Sequence, residues 1–129
     1  MAEKILFSNS ASLPLLISGV VLKGQREGTA LGFPTANLKL KTEISSGIYA
    51  GQTKFGEKIH ISAIYIPPNG KILETHLLDF IGDLYGQTIE VVIEKKIRES
   101  RPFKTKIELL RAIKEDIQMI RNFYREKSG

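Results

Sequence analysis

Short apolar runs separated by turn chemistry fill the chain from Leu13 to about residue 99. Residues 15–22 read as a strand, residues 24–32 as an exposed loop and residues 36–40 as a second, short strand. Residues 47–55 form another apolar run, closed by the turn Phe55-Gly56-Glu57. In residues 58–66, His60 and Ser62 alternate with Ile59, Ile61 and Ala63, the period of a half-buried strand. Pro67-Pro68-Asn69-Gly70 is a turn signal, and residues 71–79 and 88–97 read as the last two strands, joined through Gly82 and Gly86. The period then changes: Ile107, Leu110, Ile113, Ile117, Ile120 and Tyr124 recur every three or four positions and mark an amphipathic helix. Thr105 followed by Glu108 is a capping box, which predicts a helix over residues 105–125. Strands first and one helix last, at hairpin-length spacing, argue for a β-rich fold: a small antiparallel barrel over residues 13–99 with the helix packed on it. Residues 1–12, with Ser8-Asn9-Ser10-Ala11-Ser12, are expected to form a loose arm.

Composition narrows the class. The 129 residues suit a single domain, 42% of them are apolar, and the mixture excludes fibrous, low-complexity and largely disordered chains. There is no cysteine, hence no disulfide frame, thiolate nucleophile or cysteine zinc site. Two histidines, His60 and His76, are too few for a histidine metal cluster. The net charge of +5 favours anionic partners, although the basic residues are scattered and also describe ordinary solvated faces. The most apolar stretch, residues 13–22, is interrupted by Pro14, Ser18 and Gly19 and is too short to span a membrane. Residues 1–12 lack the pattern of a secretory signal, so a cytoplasmic location is expected.

Three segments carry candidate chemistry. In the first, Gly19, Gly24, Gly28 and Gly32 lead into Phe33-Pro34-Thr35-Ala36-Asn37. Gln25 and Arg26 after Gly24 exclude a Walker A loop, and no Gly-x-Gly-x-x-Gly occurs. Glycines let a flap bring backbone N–H groups close to phosphate oxygens. Pro34 stiffens its exit, and Thr35 and Asn37 fall on one face of the following strand. Their neutral hard oxygens suit a Mg²⁺ that also holds phosphates. The glycines alone describe a surface loop equally well. In the second segment, alternation puts Glu74, His76 and Leu78 on one strand face and Leu73, Thr75 and Leu77 on the other. Glu74, flanked by apolar neighbours, suits a base that takes a proton from an attacking hydroxyl. Taken alone it is a surface carboxylate on an edge strand, and His76 reads as a packing residue rather than a ligand. The third segment, Arg98 to Phe103 with Arg101 between them, is either a basic loop beside an anion or a charged linker before the helix.

In this order the segments resemble the riboflavin kinase (flavokinase) family over about residues 18–123. Leu31-Gly32-Phe33-Pro34-Thr35-Ala36-Asn37 is similar to its phosphate-binding flap and signature, and Ser46-Gly47-Ile48-Tyr49 to its next strand. Glu74-Thr75-His76-Leu77-Leu78-Asp79-Phe80 resembles its catalytic strand, and Asp83-Leu84-Tyr85-Gly86 the turn after it. Residues 98–103 and Asp116 resemble the flavin-side loop and final helix. The resemblance implies a six-stranded antiparallel, Greek-key-like barrel with one C-terminal α-helix. It implies transfer of the γ-phosphoryl group of MgATP to the ribityl 5′-hydroxyl of riboflavin, giving FMN. On that carry-over Gly24, Gly28, Gly32, Pro34, Thr35 and Asn37 bind nucleotide, with Thr35 and Asn37 also on Mg²⁺. Glu74 is the base, and Arg98, Arg101 and Phe103 close over the flavin. The expected partners are the small molecules ATP and riboflavin, with neither nucleic acid nor membrane, and the expected state is a monomer.

Two departures from the family pattern shape the expectation. Residues 63–70 are compact and lack a glycine common in the family, which bears on the pocket wall and nucleotide preference. Bacterial relatives usually carry an adenylyltransferase domain ahead of this one, which residues 1–12 cannot contain. The chain is therefore expected to be a free-standing kinase or an excised domain that does not make FAD unaided. The rival reading is a small basic barrel that binds single-stranded nucleic acid without catalysis. Aromatics at 8%, no tryptophan, and Tyr49, Phe55 and Tyr65 lying apart from the Lys/Arg runs give that reading few stacking platforms. A flavin-binding regulator without catalysis would have little use for Thr35, Asn37 and Glu74 together.

Overall fold

The computed structural model describes residues 12–23 and 32–128. Six strands alternate through the chain: β1 (Leu15–Val20), β2 (Ala36–Lys39), β3 (Gly47–Phe55), β4 (Lys58–Ile66), β5 (Ile72–Leu77) and β6 (Thr88–Arg98). All neighbours are antiparallel, in the order β1-β6-β3-β4-β5-β2. The outermost strands β1 and β2 approach each other where Leu22 bridges Asn37, so the sheet curls into a nearly closed barrel. Gly51 makes the tight curvature possible. A Cβ there would lie 2.1 Å from the Val92 carbonyl oxygen and 2.4 Å from Ile64 Cδ1, so a side chain has no room where β3 presses on β6.

The interior is the apolar half of each alternating strand. Leu38, Ile64, Ile66, Leu73, Ile89, Val91 and Ile93 are almost completely buried there. Three hydroxyls share that interior: Thr53 Oγ1 lies 2.9 Å from both Thr75 Oγ1 and Ser62 Oγ, a closed chain that satisfies groups otherwise costly to bury. The predicted hairpin turns are present. Pro67-Pro68-Asn69-Gly70 closes with the Gly70 N–H on the Pro67 carbonyl at 2.9 Å, and Gly70 takes a left-handed φ of 67°. The compact loop expected over residues 63–70 is smaller still, because residues 63–66 belong to β4 and only the turn connects to β5.

The helix α1 (Lys106–Ser128) begins where its capping residues place it: Thr105 Oγ1 accepts the Glu108 N–H at 3.1 Å. Its far end runs three residues past the expected limit of 125, with Arg125 and Lys127 complementing the helix dipole there. Ile120 and Tyr124 pack with Ala50 and Leu78 in a second apolar cluster, on the outer wall of the barrel. The buried line of the helix is Ala112, Asp116, Ile120 and Tyr124, whereas Ile107, expected on the apolar stripe, is exposed at 68%. The stripe begins a turn later because the first turn of α1 has no barrel wall beneath it. Among the described residues no helix is long and apolar enough to cross a membrane.

A polar knot fastens the end of the helix. Tyr124 donates to the Glu94 carboxylate on β6, Gln52 Nε2 donates to the same oxygen at 3.0 Å, and Lys127 Nζ lies 3.8 Å from the other. Burial pushes the Glu94 carboxyl up, but the bonds from Gln52 and Tyr124 and the charge of Lys127 outweigh it and hold the carboxyl below its ordinary value. Because its folded value is lowered, Glu94 stabilises the fold fully above the unfolded value of about 4.3, and that stability is lost as pH falls through the folded value. Chemical unfolding from pH 7 to pH 3 is expected to show the Glu94→Gln variant losing less stability across this window than the wild type. Parallel pH profiles would mean that the knot adds no net preference for the ionised form.

Candidate active site

The short strand β2 is held on both sides. Against β5 its register pairs Ala36 with Thr75, Asn37 with Glu74, Leu38 with Leu73 and Lys39 with Ile72. On the other side the Leu22 N–H donates to the Asn37 carbonyl at 2.8 Å. Asn37 is consequently buried, and its side-chain oxygen accepts the Thr35 hydroxyl at 3.2 Å. Thr35 and Asn37 therefore meet, as their spacing predicted. Residues opposite one another in an antiparallel pair share a face, so Glu74 lies beside Asn37, with Tyr65 of β4 opposite it on the other side.

In front of Thr35 is a cavity of about 410 Å³, within the range of small-ligand sites. Leu22, Lys23, Pro34, Thr35, Phe80 and Tyr85 are among the residues that line it. Asn37 and Glu74 are not among the lining residues; Asn37 adjoins them through its bond with Thr35. Gly32 enters this segment with a φ of 92°, a left-handed conformation that favours glycine. Gly24 and Gly28, expected to bind nucleotide, lie outside the described residues. The segment from Phe80 to Tyr85, expected as the end of the catalytic strand and the turn after it, contributes Phe80, Gly82, Asp83, Leu84 and Tyr85 to the cavity lining. Nothing in its local pattern indicates that the barrel folds it over Thr35.

The flavin-side residues of the resemblance form a separate cluster at the end of β6. Arg98 makes a two-pronged contact with Asp116 of α1, Nε and Nη2 each 2.8 Å from a carboxylate oxygen, and Nη1 donates to the Glu99 carbonyl. The Asp116 side chain is 7% exposed and that of Arg98 22%. The guanidinium carbons of Arg98 and Arg101 lie 5.8 and 4.5 Å from the centre of the Phe103 ring. Arg98, Arg101 and Phe103 are thus brought together, but Arg98 is committed to Asp116 and acts as a brace for the loop. The signal for this was an aspartate on the buried line of a helix, which needs a cation.

Register connects the two clusters. Asn37 pairs with Glu74, Glu74 with Tyr65, Tyr65 with Ile48 and Ile48 with Arg98, a single row around the barrel. At about 4.8 Å per strand the row spans roughly 19 Å of wall. Glu74 is one step from Asn37 and three from Arg98.

The donor set also bears on magnesium. Ligands about 2.1 Å from an octahedral ion lie about 3 Å apart when adjacent. The Thr35 and Asn37 oxygens, 3.2 Å apart, match that spacing and are neutral hard donors beside the cavity. Among the described residues no group of three or more His, Asp and Glu forms a cage. A Mg²⁺ that takes only a few protein ligands and shares the rest with phosphates and water would fit such a pair.

Fold and site together define a class: a six-stranded antiparallel barrel braced by one helix, with a small-ligand crevice near a row that carries Asn37, Glu74, Tyr65 and Arg98. The flavokinase family profile, described as riboflavin kinase, matches residues 11–124, and the chain belongs to that family. It is 37% identical over 119 residues to a bifunctional riboflavin kinase/FMN adenylyltransferase of Buchnera aphidicola, covering 84% of this chain and 38% of that one. It is 38% identical over 113 residues to the RNA-binding riboflavin kinase RibR of Bacillus subtilis, covering 81% and 49%. The chain therefore spans half or less of the length of these relatives. The crystal structure of riboflavin kinase from Trypanosoma brucei superimposes with a TM-score of 0.69 at 25% identity, covering 87% of this chain and 78% of that one.

Arg98→Met and Asp116→Leu should each destabilise the fold by about 1–3 kcal/mol, because each leaves the partner's charge partly buried and unpaired. The double variant should lose less than the sum of the two, since neither charge is then stranded. Denaturant melts of the four proteins measure the coupling, and strict additivity would mean that the pair contributes no net interaction.

Proposed function

We propose that the chain transfers the γ-phosphoryl group of ATP to the ribityl 5′-hydroxyl of riboflavin, giving FMN and ADP. Family membership supports the reaction class, and one observation carries the assignment of parts: the β2–β5 register that sets Glu74 beside Asn37, whose bonded neighbour Thr35 lines the cavity. In this reading the nucleotide occupies the cavity, with Pro34 and Thr35 beneath its phosphates. Thr35 Oγ1 and Asn37 Oδ1 would hold Mg²⁺, which would neutralise charge on the phosphates. A flavin ring lying toward Arg98, Arg101 and Phe103 directs its ribityl chain along the row to Glu74. The Glu74 carboxylate accepts the proton of the 5′-hydroxyl as that oxygen bonds to phosphorus and the bond to the ADP oxygen breaks. The proton then passes to water.

The reaction is tested by incubating the purified protein with MgATP and riboflavin and following FMN and ADP by chromatography. Equimolar appearance of both is expected. Nucleic-acid binding is the competing outcome, suggested by the net charge and by the name of the Bacillus subtilis relative. It would show as oligonucleotide affinity that falls steeply with salt, in a protein that makes no FMN. Glu74→Gln keeps the shape of the side chain and removes the proton acceptor, so kcat should fall by roughly 10²–10⁴-fold with little change in riboflavin affinity. Turnover near the wild-type rate would remove Glu74 from the role of base.

A further inference from the structure

We infer that His76 is a positioning residue for the phosphate side of the proposed site, acting through the Pro34 carbonyl on Thr35. The inference rests on the riboflavin kinase reading and assigns a part of that site to a side chain that sequence reasoning treated as packing. His76 Nδ1 lies 2.8 Å from Pro34 O, and the Phe33 ring meets the imidazole edge-on with centres 5.5 Å apart. A carbonyl oxygen only accepts, so Nδ1 carries the proton of this bond, which also sets the tautomer of the neutral ring.

The reason a side chain is needed lies in the backbone. The β2–β5 ladder ends at Ala36 and Thr75, one step short of Thr35 and His76. Pro34 has no N–H, so its carbonyl is its one backbone hydrogen-bonding group, and the ladder cannot continue through it. His76 reaches across from β5 in place of the missing rung. It holds Phe33 by its ring and Pro34 by its nitrogen, and Thr35, the next residue, is fixed between that anchor and its own bond to Asn37. His76 is also two residues from Glu74 on the same strand face. A single rigid strand therefore carries the proposed base and the clamp on the proposed phosphate floor, which keeps the distance between them constant as ligands enter.

Two substitutions separate the nitrogen from the ring. His76→Phe retains the aromatic contact with Phe33 and removes the donor. His76→Asn places an amide N–H where Nδ1 stood and removes the ring. With His76→Phe, the KM for MgATP and the Kd for MgADP are expected to rise roughly three- to tenfold, the scale of one lost hydrogen bond. Riboflavin affinity and thermal stability should stay near wild type. His76→Asn should restore most of the nucleotide affinity. The inference is overturned if His76→Phe binds MgADP like wild type, if His76→Asn fails to rescue, or if both variants weaken riboflavin and nucleotide equally while losing stability. Wild-type protein that makes no FMN and binds no MgADP would instead bring down the kinase reading, and this inference with it. FMN formation by the wild type, unaltered in His76→Phe, would remove the inference alone.

Discussion

The hydrogen bond from the Leu22 N–H to the Asn37 carbonyl closes a sheet that otherwise ends in two open edges. It joins the strands furthest apart in the sheet order, β1 and β2, and makes Asn37 a residue held by both neighbours. Its backbone is shared between the bridge to Leu22 and the ladder with β5, and its amide oxygen takes the Thr35 hydroxyl. Because the residues flanking this junction line the crevice, the same contact that completes the barrel also shapes the proposed nucleotide site. Only a strand with its edges paired offers a stationary row of side chains, so the geometry of Thr35, Asn37 and Glu74 depends on closure.

Two arginine–aspartate pairs bind the helix to the barrel in opposite senses. Asp116 of α1 takes Arg98 at the end of β6, and Arg121 of α1 takes Asp79 after β5, each through two hydrogen bonds. They differ in weight. The Asp79 side chain is 75% exposed, and its pair is a surface contact of small value, whereas Asp116 is almost fully shielded and its loss strands a charge. Docking itself comes from Ile120, Tyr124 and the apolar wall around Ala50 and Leu78. The pairs orient: one anchors the loop that carries Arg101 and Phe103, the other the segment that leads into the Phe80–Tyr85 wall of the cavity.

Much of this was legible from local pattern. Period-two alternation locates the strands to within a few residues, residue types alone identify the turn at Pro67 to Gly70, and Thr105 with Glu108 marks the start of the helix. The spacing of Thr35 and Asn37 put their oxygens on one face, and the structure has them bonded. Asp116 and Ile107 were harder, because burial of a helix face depends on which wall lies beneath it and which charge answers it. Arg98, eighteen residues away in the chain, decides that Asp116 can be buried.

Local chemistry thus determined the elements, the turns and the candidate residues on each, because period, capping and turn preference act over a few residues. The pairing of Asn37 with Glu74, the row that continues to Arg98, the cavity in front of Thr35 and the reach of His76 to Pro34 are contacts between distant segments. Register, closure and packing decide those, and each is settled only when all six strands find their neighbours at once. The missing N–H of Pro34 was visible from the start; that an imidazole forty-two residues on answers it is a property of the folded barrel alone.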